Sequence, residues 1–282
     1  MQGLQILIDQ IEKGQKLHIS VLDLCGILNT PLTSVSFKNA IHSKPFCSMA
    51  KSTPRGYRVC RRCKALANRR ALLLKAPFCG MCLYGMYEAA VPVVLENNVA
   101  AIVYVGNAIL NENETRTRLK QTCRFSKVSE SKLAEQLDHC ERIADVTKLY
   151  QIGELVADYL KTLCDLAPKS KTDTHWFVSL MKSYADEMLC TDITLQELAQ
   201  IYRKNPKYMG RLFKQETGVS FNEYCIDLRL KKAGKMLLNT EEKIIDIAME
   251  CGFDNISYFN RSFKKRFSLS PGQYRAANQT LH

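Results

Sequence analysis

Residues 193–217, ITLQELAQIYRKNPKYMGRLFKQET, and residues 243–267, KIIDIAMECGFDNISYFNRSFKKRF, repeat one pattern. Each stretch has a short apolar helix, a turn, and a second helix with one apolar and one polar face. The repetition predicts an all-α domain with two helix-turn-helix motifs, separated by one amphipathic segment. Sequence-specific binding of duplex DNA is therefore the leading functional hypothesis.

In the first motif, Asn205 and Pro206 mark the start of the second helix. Proline at the first helical position loses no hydrogen bond, and asparagine before it accepts from the free amides that follow. Helical spacing predicts four inward residues, Tyr208, Met209, Leu212 and Phe213, and four outward residues, Lys207, Gly210, Arg211 and Lys214. Because Arg pairs bidentately with guanine and Lys reaches a base edge or a phosphate, the outward face is suited to a major groove.

The second motif has the same design. Its turn falls at Cys251, Gly252 and Phe253, and Asp254 or Asn255 is expected to cap the next helix. The predicted inward residues are Tyr258, Phe259, Phe263 and Phe267, and the outward ones are Ser257, Asn260, Arg261, Lys264 and Lys265. A generic helical bundle with a solvated basic face is the alternative, but two tandem copies with matching caps and turns disfavour it.

Several short motifs stand together in the last hundred residues. They include Leu212-Phe213-Lys214-Gln215-Glu216-Thr217-Gly218, Arg229-Leu230, Gly252-Phe253, Phe263-Lys264-Lys265-Arg266-Phe267 and Ser270-Pro271. This set resembles the AraC/XylS family of transcription regulators, in which two recognition helices enter successive major-groove turns, joined by a long helix, here residues 221–238. The resemblance assigns base readout to Lys207, Gly210, Arg211, Ser257, Asn260 and Arg261. It also implies contact with RNA polymerase and activation of transcription.

Two positions depart from the family pattern. Gly210 stands where a longer polar residue is frequent, so direct base readout by a side chain is weak there. Ser268 replaces the glycine usual after the last Phe of the second motif, and serine reaches a left-handed helix end at modest cost.

The composition agrees with a cytoplasmic DNA-binding protein. The 282 residues exceed the usual size of one domain, and no apolar run approaches the length of a membrane span. No secretory signal is expected at the amino terminus. The net charge is +12, with 18 Lys and Arg against 13 Asp and Glu in residues 169–282, and 22 against 15 before them. Charge alone therefore does not single out the DNA-binding half.

Much of the basic surplus of the first half lies in residues 51–75, which hold nine Lys and Arg and no acidic residue. Such a run is suited to DNA phosphates, a protein partner or an anionic ligand. A solvated helix face is the more ordinary interpretation.

Composition also divides the chain into three predicted parts. Residues 165–173 are polar and contain a proline, which indicates a linker before a DNA-binding domain at residues 169–282. Strands at residues 16–24, 88–95 and 99–105, a further strand beginning at Ile27 and Leu28, and a helix at residues 60–74 predict an α+β sensor of the PAS or GAF kind in residues 1–110. Residues 111–168 are predicted to be a helical connector, with helices at residues 132–143 and 149–163.

The last of these helices carries a wide apolar stripe. Its members are Leu149, Ile152, Leu155, Val156, Tyr159, Leu160 and Leu163. Such a stripe can pack on the sensor or pair with its copy in a second chain, and we favour a homodimer because two copies would read two half-sites.

Five of the twelve cysteines cluster. Cys60 and Cys63, then Cys79 and Cys82, form two C-x-x-C pairs with fifteen residues between them, and Cys47 lies upstream. This spacing is typical of a four-thiolate zinc site, with Cys47 as a possible fifth participant. An iron–sulfur cluster, a redox switch and separate buried thiols remain alternatives.

A second resemblance lies in the same region. Pro45-Phe46-Cys47, Cys60, Cys82-Leu83-Tyr84-Gly85-Met86, Val91-Pro92-Val93 and Val105-Gly106 resemble the PocR sensory domain, a PAS-like module found ahead of AraC-type DNA-binding domains. Leu83 stands where that family commonly has His. The resemblance implies a small metabolite such as a short diol, bound by Phe46, Cys82, Tyr84, Tyr87 and Glu88. No catalytic motif occurs, so the chain is not expected to be an enzyme.

Overall fold

A computed structural model describes residues 3–166, 175–187, 194–202 and 204–279. These residues belong to two compact units: the first contains residues 3–166 with Ile201 and Tyr202, and the second contains residues 175–187, 194–200 and 204–279. The predicted linker at residues 165–173 begins at the end of a helix, and its part from residue 167 lies outside the described residues. Among the described helices, none has both the length and the apolarity to cross a bilayer.

The first unit is built on one mixed sheet. Its strands are β1 (His18–Asp23), β2 (Phe78–Met81), β3 (Tyr87–Leu95) and β4 (Asn98–Ile109), antiparallel in the order β1-β4-β3-β2, and β5 (Glu141–Arg142) pairs in parallel with the end of β4. The strands predicted at residues 88–95 and 99–105 are confirmed as β3 and β4, and they form a hairpin. Its turn residues Glu96 and Asn97 both have positive φ, as tight hairpin turns require.

Seven α-helices surround the sheet. They are α1 (Leu4–Glu12), α2 (Phe37–Ala40), α3 (Pro45–Ala50), α4 (Pro54–Leu74), α5 (Glu112–Ser126), α6 (Glu130–Glu135) and α7 (Thr147–Leu166). The mixed α/β class predicted for this half of the chain is therefore confirmed.

Two local predictions were wrong. Ile27 and Leu28 do not begin a strand, because the Asp23 carboxylate accepts hydrogen bonds from the amides of residues 25–28 and turns the chain there. The helix predicted at residues 132–143 is divided into α6, a 3-10 helix at Gln136–His139 and β5. Asn107 of β4 donates to the His139 carbonyl at 2.9 Å, so contacts with the sheet outweigh helix propensity at this point.

The main core of the sensor lies on one face of the sheet, under α1 and α7. Alternate residues of β3 and β4, including Val91, Val93 and Val103, pack there against Leu160 and Leu163 of α7. Gly153 permits this approach, since a Cβ at that position would lie 2.6 Å from Val91 Cγ2.

This packing decides the role of the apolar stripe on α7. Most of the stripe is covered by the sheet, whereas Leu155 is exposed. The stripe therefore packs in the sensor core, which is the first of the two roles expected for it. The described part of the predicted connector, residues 111–166, is packed within the first unit.

The second unit is helical throughout its described part. Its helices are α8 (His175–Glu187), α9 (Leu195–Tyr202), α10 (Pro206–Thr217), α11 (Phe221–Asn239), α12 (Ile244–Glu250), α13 (Ile256–Phe267) and α14 (Pro271–Gln279). The pairs α9 with α10 and α12 with α13 are the predicted helix-turn-helix motifs, and α11 is the long helix between them. Leu230, Ala233 and Leu237 of α11 pack against Phe259 and Phe263 of α13.

Gly153→Leu is expected to lower the free energy of unfolding of the sensor by about 1–3 kcal/mol, because a side chain at this position overlaps Val91. Urea denaturation followed by far-UV circular dichroism measures the change. Gly80→Ala is the control, since a Cβ at Gly80 would meet no atom within 4 Å. Equal stability of the Leu variant and the wild type would contradict this account of the α7 contact.

Candidate DNA-binding helices and sensor cavity

The first candidate recognition helix is α10. The Asn205 side chain caps it as predicted, accepting from the amides of Lys207 at 2.9 Å and Tyr208 at 3.2 Å. Its buried residues are Met209, Leu212 and Phe213, and its exposed residues include Lys207, Arg211 and Lys214. At Gly210 a Cβ would lie 3.0 Å from Leu195 Cδ2, so this glycine permits close packing of α9 and α10. That packing gives a physical reason for the departure from the family pattern at this position.

The second candidate recognition helix is α13. Asn255 caps it by accepting from the Tyr258 amide at 2.9 Å, and Ser268 ends it in the left-handed conformation with φ of 63°. Phe259 and Phe263 are buried. The predicted outward residues, Ser257, Asn260, Arg261, Lys264 and Lys265, are all exposed.

Tyr208 and Tyr258 were predicted to point inward, and this was wrong. Each is 43% exposed and occupies the third position of its helix, three residues before Arg211 or Arg261. Residues three apart lie on the same side of a helix, so each candidate recognition face presents an aromatic ring beside its arginine. An aromatic residue at the same position of both motifs was the signal available in the sequence.

Helix α11 holds the second motif in position through a hydrogen bond and an ion pair. It begins with a capping box, in which the Ser220 side chain accepts from the Glu223 amide and the Glu223 carboxylate accepts from the Ser220 amide. Arg229 donates to the Gly252 carbonyl at 2.8 Å, and Asp227 pairs with Arg266 of α13. The turn and the second helix of this motif are therefore both anchored to the joining helix.

A cavity of about 550 Å³ lies on the face of the sheet opposite α7. Strand alternation directs Glu88 and Ala90 of β3, Tyr104 of β4 and Phe78 of β2 to this side, where α3 and α4 form the other wall. All five predicted ligand residues, Phe46, Cys82, Tyr84, Tyr87 and Glu88, line the cavity.

A charged cluster lies at the floor of this cavity. Lys64 Nζ is 2.8 Å from Glu88 Oε2, His42 Nε2 is 2.7 Å from Glu88 Oε1, and Lys64 Nζ lies 3.3 Å from the centre of the Tyr104 ring. Gly106 makes room for the carboxylate, because a Cβ there would lie 3.1 Å from Glu88 Cγ. His42, Lys64 and Tyr104 are not among the ligand residues predicted from the sequence. The signal for Lys64 was its position one helical turn after Cys60.

Burial and contact set the protonation of the cluster. Burial opposes ionisation of Glu88, but His42 and Lys64 outweigh it and lower the pKa of this carboxyl to about 2. Burial lowers the pKa of His42 to about 4, helped by the Lys64 charge and opposed by Glu88. Near neutral pH the cluster therefore holds a Glu88 carboxylate and a neutral His42.

The cysteines are not arranged as the two C-x-x-C pairs predict. Cys79 lies within β2 and packs against the core under α7, whereas Cys82 follows the strand and lines the cavity. Strand alternation thus separates this pair, and Cys47 joins Cys60, Cys63 and Cys82 around the cavity in place of Cys79. Within the described residues, no group of three His, Cys, Asp or Glu side chains is placed to hold a metal.

The four cavity cysteines are protonated near neutral pH. Burial raises the pKa of the Cys82 thiol to about 12 and also raises the pKa of the Cys47, Cys60 and Cys63 thiols. For Cys47 and Cys82 a neighbouring cysteine adds to the rise. Protonated thiols are small, weakly polar groups of the cavity wall.

Comparison with known proteins identifies both units. The sequence model of a sensory domain found in PocR matches residues 1–167, and a helix-turn-helix domain model matches residues 198–277. The regulatory protein PocR of Salmonella typhimurium is 24% identical over 255 residues, which cover 84% of each chain. The HTH-type transcriptional regulator YijO of Escherichia coli is 28% identical over 166 residues, and the chain spans 50% of its length.

Among solved structures, the C-terminal domain of AraT, a response regulator from Geobacillus stearothermophilus, is 37% identical, with 36% of this chain and 84% of that chain covered and a TM-score of 0.35. The two matched domains are a sensory domain of the PocR kind and a helix-turn-helix domain. The chain belongs to the AraC-type regulators that carry a PocR sensory domain.

The free energy of unfolding is expected to fall as the pH drops from 6.5 towards 4, because the unfolded His42 takes up a proton before the folded one does. Glu88 adds a second loss between pH 4.5 and about 2, where its carboxylate is protonated earlier in the unfolded chain. His42→Gln should remove the first loss, roughly 1–3 kcal/mol, in urea titrations at several pH values. The control is His139→Gln at an exposed site; an unchanged pH profile in His42→Gln would contradict the assignment.

Proposed function

We propose that this regulator reads promoter DNA with α10 and α13 and that a small metabolite bound in the sensor cavity controls this binding. The observation that carries the first part is the matched exposure of Lys207 and Arg211 on one capped helix and of Asn260 and Arg261 on the other. Arginine and asparagine recognise guanine and adenine in the major groove through paired hydrogen bonds. The DNA-binding set is Lys207, Gly210, Arg211, Lys214, Ser257, Asn260, Arg261 and Lys264. Gly210 contributes its backbone, which the DNA can approach closely because there is no side chain.

The two lysines have a different role in this proposal. Lys214 and Lys264 lie in the last turn of their helices and are exposed. Their ammonium groups reach phosphates, which contribute affinity without base preference. Tyr208 and Tyr258 join this face as flat side chains that pack against sugars or base edges.

The sensor half of the proposal rests on the cavity. Its volume of about 550 Å³ falls in the range of small-molecule sites, and its walls are largely apolar with a few convergent polar groups. A short diol is the specific candidate suggested by the PocR domain, and Glu88 would accept from its hydroxyl groups. Ligand binding and DNA binding are coupled in this scheme, so that each raises the affinity for the other by the same factor.

The wider assembly follows from the family. We propose that the chain acts in the cytoplasm, activates transcription through contact with RNA polymerase, and works as a homodimer on two half-sites. The apolar stripe of α7 does not supply the dimer contact in this proposal, since the sheet covers it.

A metal- or redox-responsive regulator is the second candidate, favoured by the convergence of Cys47, Cys60, Cys63 and Cys82 on one cavity. Zinc would have to displace the thiol protons and draw the side chains closer, so this candidate stands behind the metabolite sensor. Native mass spectrometry of protein purified without chelators tests it. If the wild type retains zinc or iron and Cys60→Ser loses it, the metal- or redox-responsive regulator becomes the first candidate.

Arg211→Ala and Arg261→Ala are each expected to weaken binding to selected DNA by about 1–3 kcal/mol, because each removes a bidentate base contact. The full chain first selects its preferred duplexes from a random library, and gel shifts then compare those duplexes with scrambled ones. Lys264→Ala should weaken both kinds of DNA alike, and Lys235→Ala, exposed on α11, is the control. Equal losses on selected and scrambled DNA in the arginine variants would refute base readout.

A cavity ligand is expected to change the affinity for selected DNA by a factor of about 5–150, the usual range of allosteric coupling. The probe is 1,2-propanediol, titrated into the full chain with and without DNA. Gly80→Trp fills the cavity entrance from a position where a Cβ meets no neighbour, and it should abolish the effect without loss of fold by circular dichroism. An identical response in this variant would place the ligand elsewhere.

A further inference from the structure

We propose that the natural ligand is an organic anion and not the short diol that the PocR domain suggests, with an apolar body inside the cavity and a carboxylate held at its mouth by Arg62 and Arg70. The proposal rests on the cavity being the effector site, and it specifies the chemistry of the effector.

The charge of the cavity lining is unbalanced. Its charged residues are Arg62, Lys64, Arg70 and Glu88, and His42 is neutral near pH 7. Three cations against one carboxylate leave a surplus of two positive charges. Since the Glu88 carboxylate is already held by Lys64 and His42, it does not neutralise the two arginines.

The two arginines stand at the edge of the cavity, two helical turns apart on α4, and both are exposed. Arg62, Leu66 and Arg70 follow one another at intervals of four along α4 and so lie along one edge of the helix. The Arg70 guanidinium stacks on the Phe78 ring at 4.6 Å from its centre, which fixes it beside the cavity. Within the part of the chain that the structure describes, neither arginine forms an ion pair.

The remaining cavity residues determine what kind of ligand body fits the interior. Phe46, Met86 and Tyr84 are buried side chains of the cavity wall, and the protonated thiols add further apolar surface. An apolar chain or ring therefore fits the interior, whereas a free charge there would lose its hydration without a partner. The arginines at the mouth provide paired donors that match the two oxygens of a carboxylate.

This arrangement also explains part of the basic run at residues 51–75. Arg58, Arg62 and Arg70 are all exposed on α4, but only Arg62 and Arg70 are among the residues that line the cavity. The run therefore contains two kinds of arginine, which makes a matched control available on the same helix.

Isothermal titration calorimetry compares hexanoate with 1,2-hexanediol, which share chain length and differ in the charge of the head group. We expect the full wild-type chain to bind hexanoate about tenfold more tightly than the diol, and we expect added salt to weaken only the hexanoate complex. The double variant Arg62→Gln with Arg70→Gln should lose about tenfold in hexanoate affinity and retain its diol affinity. Arg58→Gln should change neither, and Arg62→Lys with Arg70→Lys should keep part of the preference.

Three outcomes would overturn the proposal. Tighter binding of the diol, abolished by Gly80→Trp, would leave the cavity as the effector site and remove the anion. Hexanoate binding that ignores the arginine substitutions would show that these residues do not hold the head group. If the wild type binds neither hexanoate nor the diol more tightly than Gly80→Trp does, both the anion and the support for an effector in this cavity are removed.

Discussion

The alternation of side chains along β2, β3 and β4 is the constraint on which the sensor depends. Because successive residues point to opposite faces, Val91 and Val93 are committed to the core under α7 while Glu88 and Ala90 face α4. The same sheet thus supplies a closed hydrophobic core on one side and a lined cavity on the other. A shift of pairing by one residue would carry Glu88 into the core and valines into the cavity.

The DNA-binding unit depends on helix ends rather than on strand alternation. Asn205 and Asn255 start the two candidate recognition helices, and Gly218 and Ser268 end them in the left-handed conformation. Both helices therefore have the same length of twelve residues. The contacts of α11 with the turn at Gly252 then hold the second motif to the joining helix.

Much of this second unit could be predicted from the sequence, since capping residues and apolar spacing act locally. Prediction failed where a distant contact decides the outcome. The segment after Leu133 reads as a continuous helix, but pairing of Glu141 with Ala108 turns its end into a strand. The spacing of Cys79 and Cys82 predicted that both bind one metal ion. The pairing of β2 with β3 shows that the two cysteines face different sides of the sheet.

The candidate ligand site shows the same division. Its five predicted residues are brought to one cavity, but His42, Lys64 and Tyr104 come from three separate elements or loops that the sequence does not connect. No local pattern marks a neutral histidine beside an ion pair. Such a cluster becomes visible when the sheet register is known.

The position of α7 has a consequence for how the molecule can signal. This helix rests on the reverse side of the strands that floor the cavity, and its last described residue, Leu166, leads the chain towards the DNA-binding half. A ligand that displaces β3 by a fraction of an ångström also moves Val91 against Gly153 of α7, which packs closely on the other face of the sheet. Any displacement of β3 therefore acts first on α7, the last described helix of the sensor.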